Sequence, residues 1–423
     1  MDKNLSKAIE LDEKDPLKSF KNRFVNSENE IYLDGNSLGK LPKKTIALMS
    51  DLIQKQWGNQ MIRSWNEHWM DLPKTLAKKI AQIVGAQEDE IFVGDSTSLN
   101  LYKLVFSVLQ LQQGKQKIVT DSLNFPTDLY VLQGIVATHF QNHSIAYIPS
   151  EDAISTRIKT LKNYLDKETA LITLSAVTYK TAYWYDMAEV NATAKKNNSY
   201  VIWDLSHAAG AVPVDLNKNK AELAVGCTYK YLNGGPGAPA FLYVKKELQE
   251  RLNNPISSWF AHEKPFDFDP VFKTDQGIQK FAIGTPSILS LAAMEPGLDI
   301  LLEAGIANLR EKSTRQSQFL LELITKYLVP LDFKIASPLK VEGRGSHISI
   351  QHKEAYRINR AMITPKMKVK IIIPDFRPPN NIRLGIAPLY NTFQEIYETV
   401  RRIEKIVLSK EFEHFSSEKL IVT

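Results

Sequence analysis

Along the chain, short apolar runs alternate with stretches in which apolar residues recur every three or four positions. The runs Lys117–Thr120, Ser144–Ile148, Thr169–Val177, Tyr200–Asp204, Leu223–Cys227 and Ala240–Val244 read as buried strands. The spacing predicts helices over Ile46–Trp57, Leu76–Val84, Leu99–Gln110 and Ala188–Lys196. Strands joined by helical crossovers pair in parallel, so the alternation predicts an α/β fold around a mainly parallel sheet with helices on both faces. After Gly284-Thr285-Pro286 the texture changes. Ile288–Ala307 and Leu309–Tyr327 are long and helical; hairpin-like runs follow at Gly345–Gln351, Val369–Ile373 and Asn381–Gly385, then an amphipathic helix at Thr392–Leu408. This second texture predicts a smaller α+β unit. The expected division is an N-terminal arm, 1–50, packing on the small domain, a large domain, 51–300, and the small C-terminal domain, 301–423.

Composition narrows the class. With 423 residues, 43% hydrophobic and 24% charged, the chain is neither disordered nor fibrous and is long enough for a large core. Its net charge of +6 is scattered rather than gathered into a stripe, so no nucleic-acid partner is expected. The greasiest stretch, Pro286–Leu309, carries Glu295, Asp299 and Glu303, so no membrane span is expected either. One cysteine, Cys227, leaves no internal disulfide and no thiolate metal cage. Together with a charged Met1–Lys21 segment that has no apolar run, this points to a cytoplasmic protein without a metal site.

The segment Val201-Ile202-Trp203-Asp204-Leu205-Ser206-His207 ends a strand, and Thr228-Tyr229-Lys230 follows the next one. In open α/β sheets, ligands bind at the carboxyl ends of the strands. A carboxylate and an amine opposed there suit pyridoxal phosphate: the aspartate keeps the pyridine nitrogen protonated, and the lysine forms a Schiff base with the aldehyde. Gly94-Asp95-Ser96-Thr97-Ser98-Leu99, just before a helical run, offers free backbone N–H groups and the positive end of a helix dipole to a phosphate. Alone it is an ordinary N-cap. Phe125-Pro126-Thr127-Asp128 follows another strand and brings an aromatic face to the same crevice; Gly234-Gly235-Pro236-Gly237, just past Lys230, eases close backbone approach or makes a turn.

These segments, with Tyr32-Leu33-Asp34-Gly35-Asn36-Ser37-Leu38-Gly39, Ser96-Thr97-Ser98-Leu99-Asn100-Leu101, Asp204-Leu205-Ser206-His207-Ala208-Ala209-Gly210 and Thr228-Tyr229-Lys230-Tyr231-Leu232-Asn233, make the chain resemble the kynureninase family nearly from end to end. The resemblance implies a fold-type I enzyme using pyridoxal 5'-phosphate, with a seven-stranded sheet. It implies hydrolytic cleavage of the Cβ–Cγ bond of kynurenine or 3-hydroxykynurenine to an anthranilate and alanine, in tryptophan degradation or NAD biosynthesis. By the same resemblance Lys230 holds the cofactor aldehyde, Asp204 pairs with the pyridine nitrogen and His207 sits beside the ring. Thr97, Ser98 and Tyr229 fall at the phosphate, Tyr229 also as a proton donor; Phe125 covers the ring, and Asp128 and Ser175 lie at its polar edge. Trp259 and Thr285 are expected to reach the cofactor of a neighbouring subunit in a homodimer. Arg383 matches the anchor for the substrate carboxylate, a role its planar fork suits; Asn36 and Trp65 fall on the substrate side.

Gly284-Thr285 stands where animal members carry Ser-Asn, which makes plain kynurenine the expected substrate. Rival readings are an aminotransferase of the same fold and a catalytically inactive cofactor-binding protein. A cysteine desulfurase needs a mobile cysteine downstream of the lysine, and this chain has none.

Overall fold

The computed structural model describes residues 2–365 and 369–419. After a helix at Lys3–Glu13 the chain forms a short strand, β1 (Glu30–Tyr32). The large sheet follows, from β2 (Ile91–Val93), β3 (Lys117–Asp121), β4 (Ser144–Ile148), β5 (Thr169–Ser175), β6 (Tyr200–Asp204), β7 (Leu223–Gly226) and β8 (Phe241–Val244). Their order is β2-β8-β7-β6-β5-β3-β4, parallel except for β8, which runs against both of its neighbours. The mainly parallel seven-stranded sheet is therefore present. Side chains on its central strands alternate between two cores: Val201 and Trp203 of β6 face one, Tyr200 and Ile202 the other. Both faces are covered by helices, which is why these strands read as unbroken apolar runs.

Several elements escape the pattern. β2 is three buried residues, too short for a run to stand out. The helix Pro126–Thr138 is apolar nearly all round, with Tyr130 65% exposed, so it shows no clear stripe. The helix expected over Ile46–Trp57 forms as Lys43–Asp51 and then widens into π-like turns over Leu52–Gln60.

The C-terminal part contains β9 (Lys334–Ile335), β10 (His347–Gln351), β11 (Ile371–Ile373), β12 (Asp375–Arg377) and β13 (Asn381–Gly385). Four of these make an antiparallel sheet in the order β12-β13-β10-β9. The run at Val369–Ile373 is not a hairpin arm: β11 pairs in parallel with β1, Ile372 opposite Ile31. Ala8, Ile31 and Leu33 accordingly share one core with Ile348, Ile382, Leu384 and Val400. The expected boundary at 300/301 lies inside the helix Ile288–Ala304, and core membership changes further on, between Leu309 and Phe319. Among the described residues no helix is long and apolar enough to cross a membrane.

Candidate active site

The carboxyl ends of β5, β6 and β7 gather the first group of functional side chains. Ser175 ends β5 and lies in register with Asp204, which ends β6. Asp204 is buried, and its Oδ1 accepts from Ser206 N at 2.9 Å and Ser206 Oγ at 2.6 Å. Ser206 Oγ in turn accepts from the backbone N–H of Cys227 at 3.1 Å, tying this turn to the segment after β7. Oδ2 of Asp204 carries none of these bonds, which leaves it free for a cationic N–H. Lys230 lies four residues past the end of β7, with Nζ 3.0 Å from His207 Nε2 and 5.9 Å from the Phe125 ring centre. His207 is buried with Nδ1 unpartnered, and burial followed by the charges of Lys230 and Arg383 pushes its pKa well below the usual histidine range.

Two further acids at this rim hold their protons more tightly than usual. Burial, then the charge of Asp204, pushes the Asp128 carboxyl well above the usual range, with Lys230 opposing. Burial does the same to the Tyr229 phenol. Phe125, set at the start of the Pro126–Thr138 helix, packs edge-on against Tyr179 at 5.1 Å. Ser175 Oγ donates to Asn124 Oδ1 at 2.6 Å, so a residue that sequence reasoning missed orients it.

At the N-terminus of the helix Thr97–Leu111, Ser96 Oγ accepts from Leu99 N at 3.2 Å and its carbonyl from Asn100 N at 3.0 Å. The N–H groups of Thr97 and Ser98, the first two helical residues, precede any intrahelical acceptor and point out of the helix end. The loop before them is fixed from beneath by Lys103, fully buried, which donates to Asp95 at 2.5 Å and to the Phe281 carbonyl at 2.6 Å. Thr285 lines a cavity of about 380 Å3 with Gly94, Asp95, Phe260 and His262 rather than with Lys230. Trp259 is 42% exposed and packs among Phe260, Phe266 and Phe268. Trp65 is half-buried, and its ring packs edge-on against Trp69 rather than joining the Lys230 cluster.

The small sheet supplies the other wall. Arg383, mid-strand in β13, is 1% exposed; Nε donates to Asp375 at 2.5 Å, Nη1 to the Tyr179 carbonyl at 2.6 Å and Nη2 to Ser37 Oγ at 3.0 Å. His347 of β10 stands 5.6 Å, ring to ring, from His207. Asn36 is fully buried with both side-chain polar atoms unpartnered, pressed against Gly385, where even a Cβ would meet its Oδ1 at 1.7 Å. Asp34, with Oδ1 unpartnered, is pushed up to about 7 by burial and then by Asp375. Asp375, His347 and Tyr179 have no motif to announce them, and Ser37 lies in the segment 32–39 with nothing there to link it to Arg383. The trace of Asp375 and His347 is the alternation of polar and apolar residues along β10 and β12.

The chain has the fold-type I architecture. It superposes on a cysteine desulfurase from Thermococcus onnurineus NA1 with a TM-score of 0.77, 17% identity and coverage of 95% of this chain and 98% of that one. For a mutant of C-DES with glycine linked covalently to its PLP cofactor, the TM-score is 0.79 at 17% identity, covering 91% of this chain and 98% of that one. Sequence goes further. The chain is 37% identical to kynureninase from Pseudomonas fluorescens over 405 residues, 95% of this chain and 94% of that one, and 37% identical to kynureninase from Burkholderia mallei (strain SAVP1) over 410 residues, 96% of each. Residues 309–403 match the model of the kynureninase C-terminal domain. The chain belongs to the kynureninase family.

Proposed function

We propose that this chain hydrolyses the Cβ–Cγ bond of L-kynurenine to anthranilate and L-alanine, with pyridoxal 5'-phosphate as its cofactor. One observation carries the reading: at a single sheet rim an amine, Lys230 Nζ, stands 3.0 Å from His207 Nε2, near a buried carboxylate whose second oxygen is uncommitted. That donor set fits the cofactor. An oxygen of Asp204 is free for the pyridine N–H, an amine is present for the aldehyde, and unpaired N–H groups at Thr97 and Ser98 suit a phosphate.

When bound, the cofactor supplies an electron sink for negative charge developing on the substrate's α and β carbons. Lys230 holds the aldehyde and, once released, moves the Cα proton. Asp204 holds the proton on the ring nitrogen, with Ser206 keeping the carboxylate in place. Thr97, Ser98 and Tyr229 take the phosphate; Phe125 covers the ring face beside His207, and Asp128 and Ser175 meet its polar edge. Arg383 receives the substrate carboxylate, with Asn36 and Trp65 on the substrate side. Tyr229, its phenol pushed up by burial, keeps a proton to return to the β carbon.

Trp259 and Thr285 act on a second copy of the chain in a homodimer, which explains an exposed aromatic face built by Trp259, Phe266 and Phe268. The working units are an arm, a large domain and a small domain, the last two linked through the long helix Ile288–Ala304. Residence in the cytoplasm goes with a single, buried, free cysteine. Thr285 favours kynurenine over its 3-hydroxy form, and a higher kcat/KM for the hydroxylated compound would overturn that preference. The central test is incubation of the cofactor-loaded protein with kynurenine and no keto acid. Equal amounts of alanine and fluorescent anthranilate are expected; alanine that appears only when a keto acid is added would make the chain an aminotransferase.

A further inference from the structure

The antiparallel register of the small sheet puts Asp375 directly across from Arg383, and Arg377 lies two residues beyond Asp375 on the same side. Ser349 is the partner of Arg383 on β10, and His347 is two residues before it. One face of the sheet is therefore His347, Ser349, Arg383, Asp375 and Arg377. The other face, Ile348, Ile350, Ile382, Leu384 and Phe376, fills the small core. A single oxygen, Asp375 Oδ2, accepts from Nε of Arg383 at 2.5 Å and from Nε of Arg377 at 2.9 Å.

We infer that Asp375 is the positioning residue for the substrate-carboxylate anchor, an inference that rests on Arg383 being that anchor. A guanidinium on its stem swings about the Cδ–Nε bond unless Nε is pinned. Here the pin is an ion pair with a carboxylate, stronger than the bonds to the uncharged acceptors, the Tyr179 carbonyl and Ser37 hydroxyl. With three of its five N–H groups engaged, Arg383 keeps one N–H on each Nη to meet an incoming carboxylate. Asp375, with Asp34 behind it, also offsets the burial of Arg383, which together with the charge of Arg377 drives the pKa of the guanidinium down. Its negative charge repels a substrate carboxylate as well, but two guanidinium groups share that one charge, so the cluster as a whole stays cationic.

The test compares binding of kynurenine with binding of the amine that lacks only its α-carboxylate, on the cofactor-loaded full-length protein. Wild type is expected to prefer the carboxylate form strongly. Asp375→Asn, isosteric and therefore the variant least liable to misfold, is expected to cut that preference about tenfold while leaving the amine's affinity unchanged. Asp375→Glu should restore part of it. A purely structural role would weaken both ligands alike and lower the melting temperature, and that result overturns the inference. So does an unchanged preference in Asp375→Asn while Arg383→Ala loses it. If Arg383→Ala itself keeps the preference, the anchor assignment falls and this inference falls with it.

Discussion

The two sheets carry chemistry in opposite ways. The large sheet is buried on both faces, so the charged and reactive groups it presents sit at strand ends: Ser175, Asp204 and Lys230 all lie at or beyond the last residue of a strand. The small sheet buries one face and turns the other to the crevice, so Arg383, Asp375 and His347 lie within strands. End-mounted groups answer to loop geometry, whereas mid-strand groups are held by strand register.

The sharpest way to break this contrast is at the rim. Lys230→Ala is expected to abolish turnover and the visible absorbance of the bound cofactor together, and activity above trace would remove Lys230 from its role. Next, Arg383→Ala should cost about 2–5 kcal/mol in kcat/KM, the range for truncating one partner of a buried charge pair, with the cofactor absorbance retained; an unchanged KM would put the carboxylate elsewhere. Asp34 gives a pH signature. Its carboxyl rises from an ordinary 3.8 to about 7 in the fold, so the folded chain binds that proton more tightly. The stabilisation is present at low pH and is lost as pH climbs through this window, by at most about 4 kcal/mol. Melting temperatures of wild type should therefore fall between pH 4 and pH 7 relative to Asp34→Asn; parallel curves would contradict the shift. Smallest of all, Ile382→Val, on the apolar face, should cost about 1 kcal/mol of stability in denaturant melts and leave carboxylate binding unchanged.

How much is legible follows the same division. Buried parallel strands leave apolar runs, and a polar motif straight after such a run marks a sheet rim; Asp204, His207 and Lys230 are found that way. β2 is too short to register, and β11 looks like a hairpin arm because its real partner, β1, lies at the far end of the sequence. The role of Arg383 is suggested by resemblance, but its clamp is invisible. Asp375 matters only because register sets it across from Arg383, and Ser37 reaches the same guanidinium from 346 residues away. Aromatic residues in a helical stretch look alike whether they pack or bind, so the edge-on contact of Trp65 with Trp69 leaves no mark in the sequence.

The pairing of β1 with β11 has a consequence for biosynthesis. The segment bearing Ser37 is made 346 residues before Arg383, so it must wait through that length of translation without its sheet. Any polypeptide released before β13 is complete would hold an assembled large sheet and an orphaned leading strand, a ready substrate for proteases and for pairing with the wrong edge.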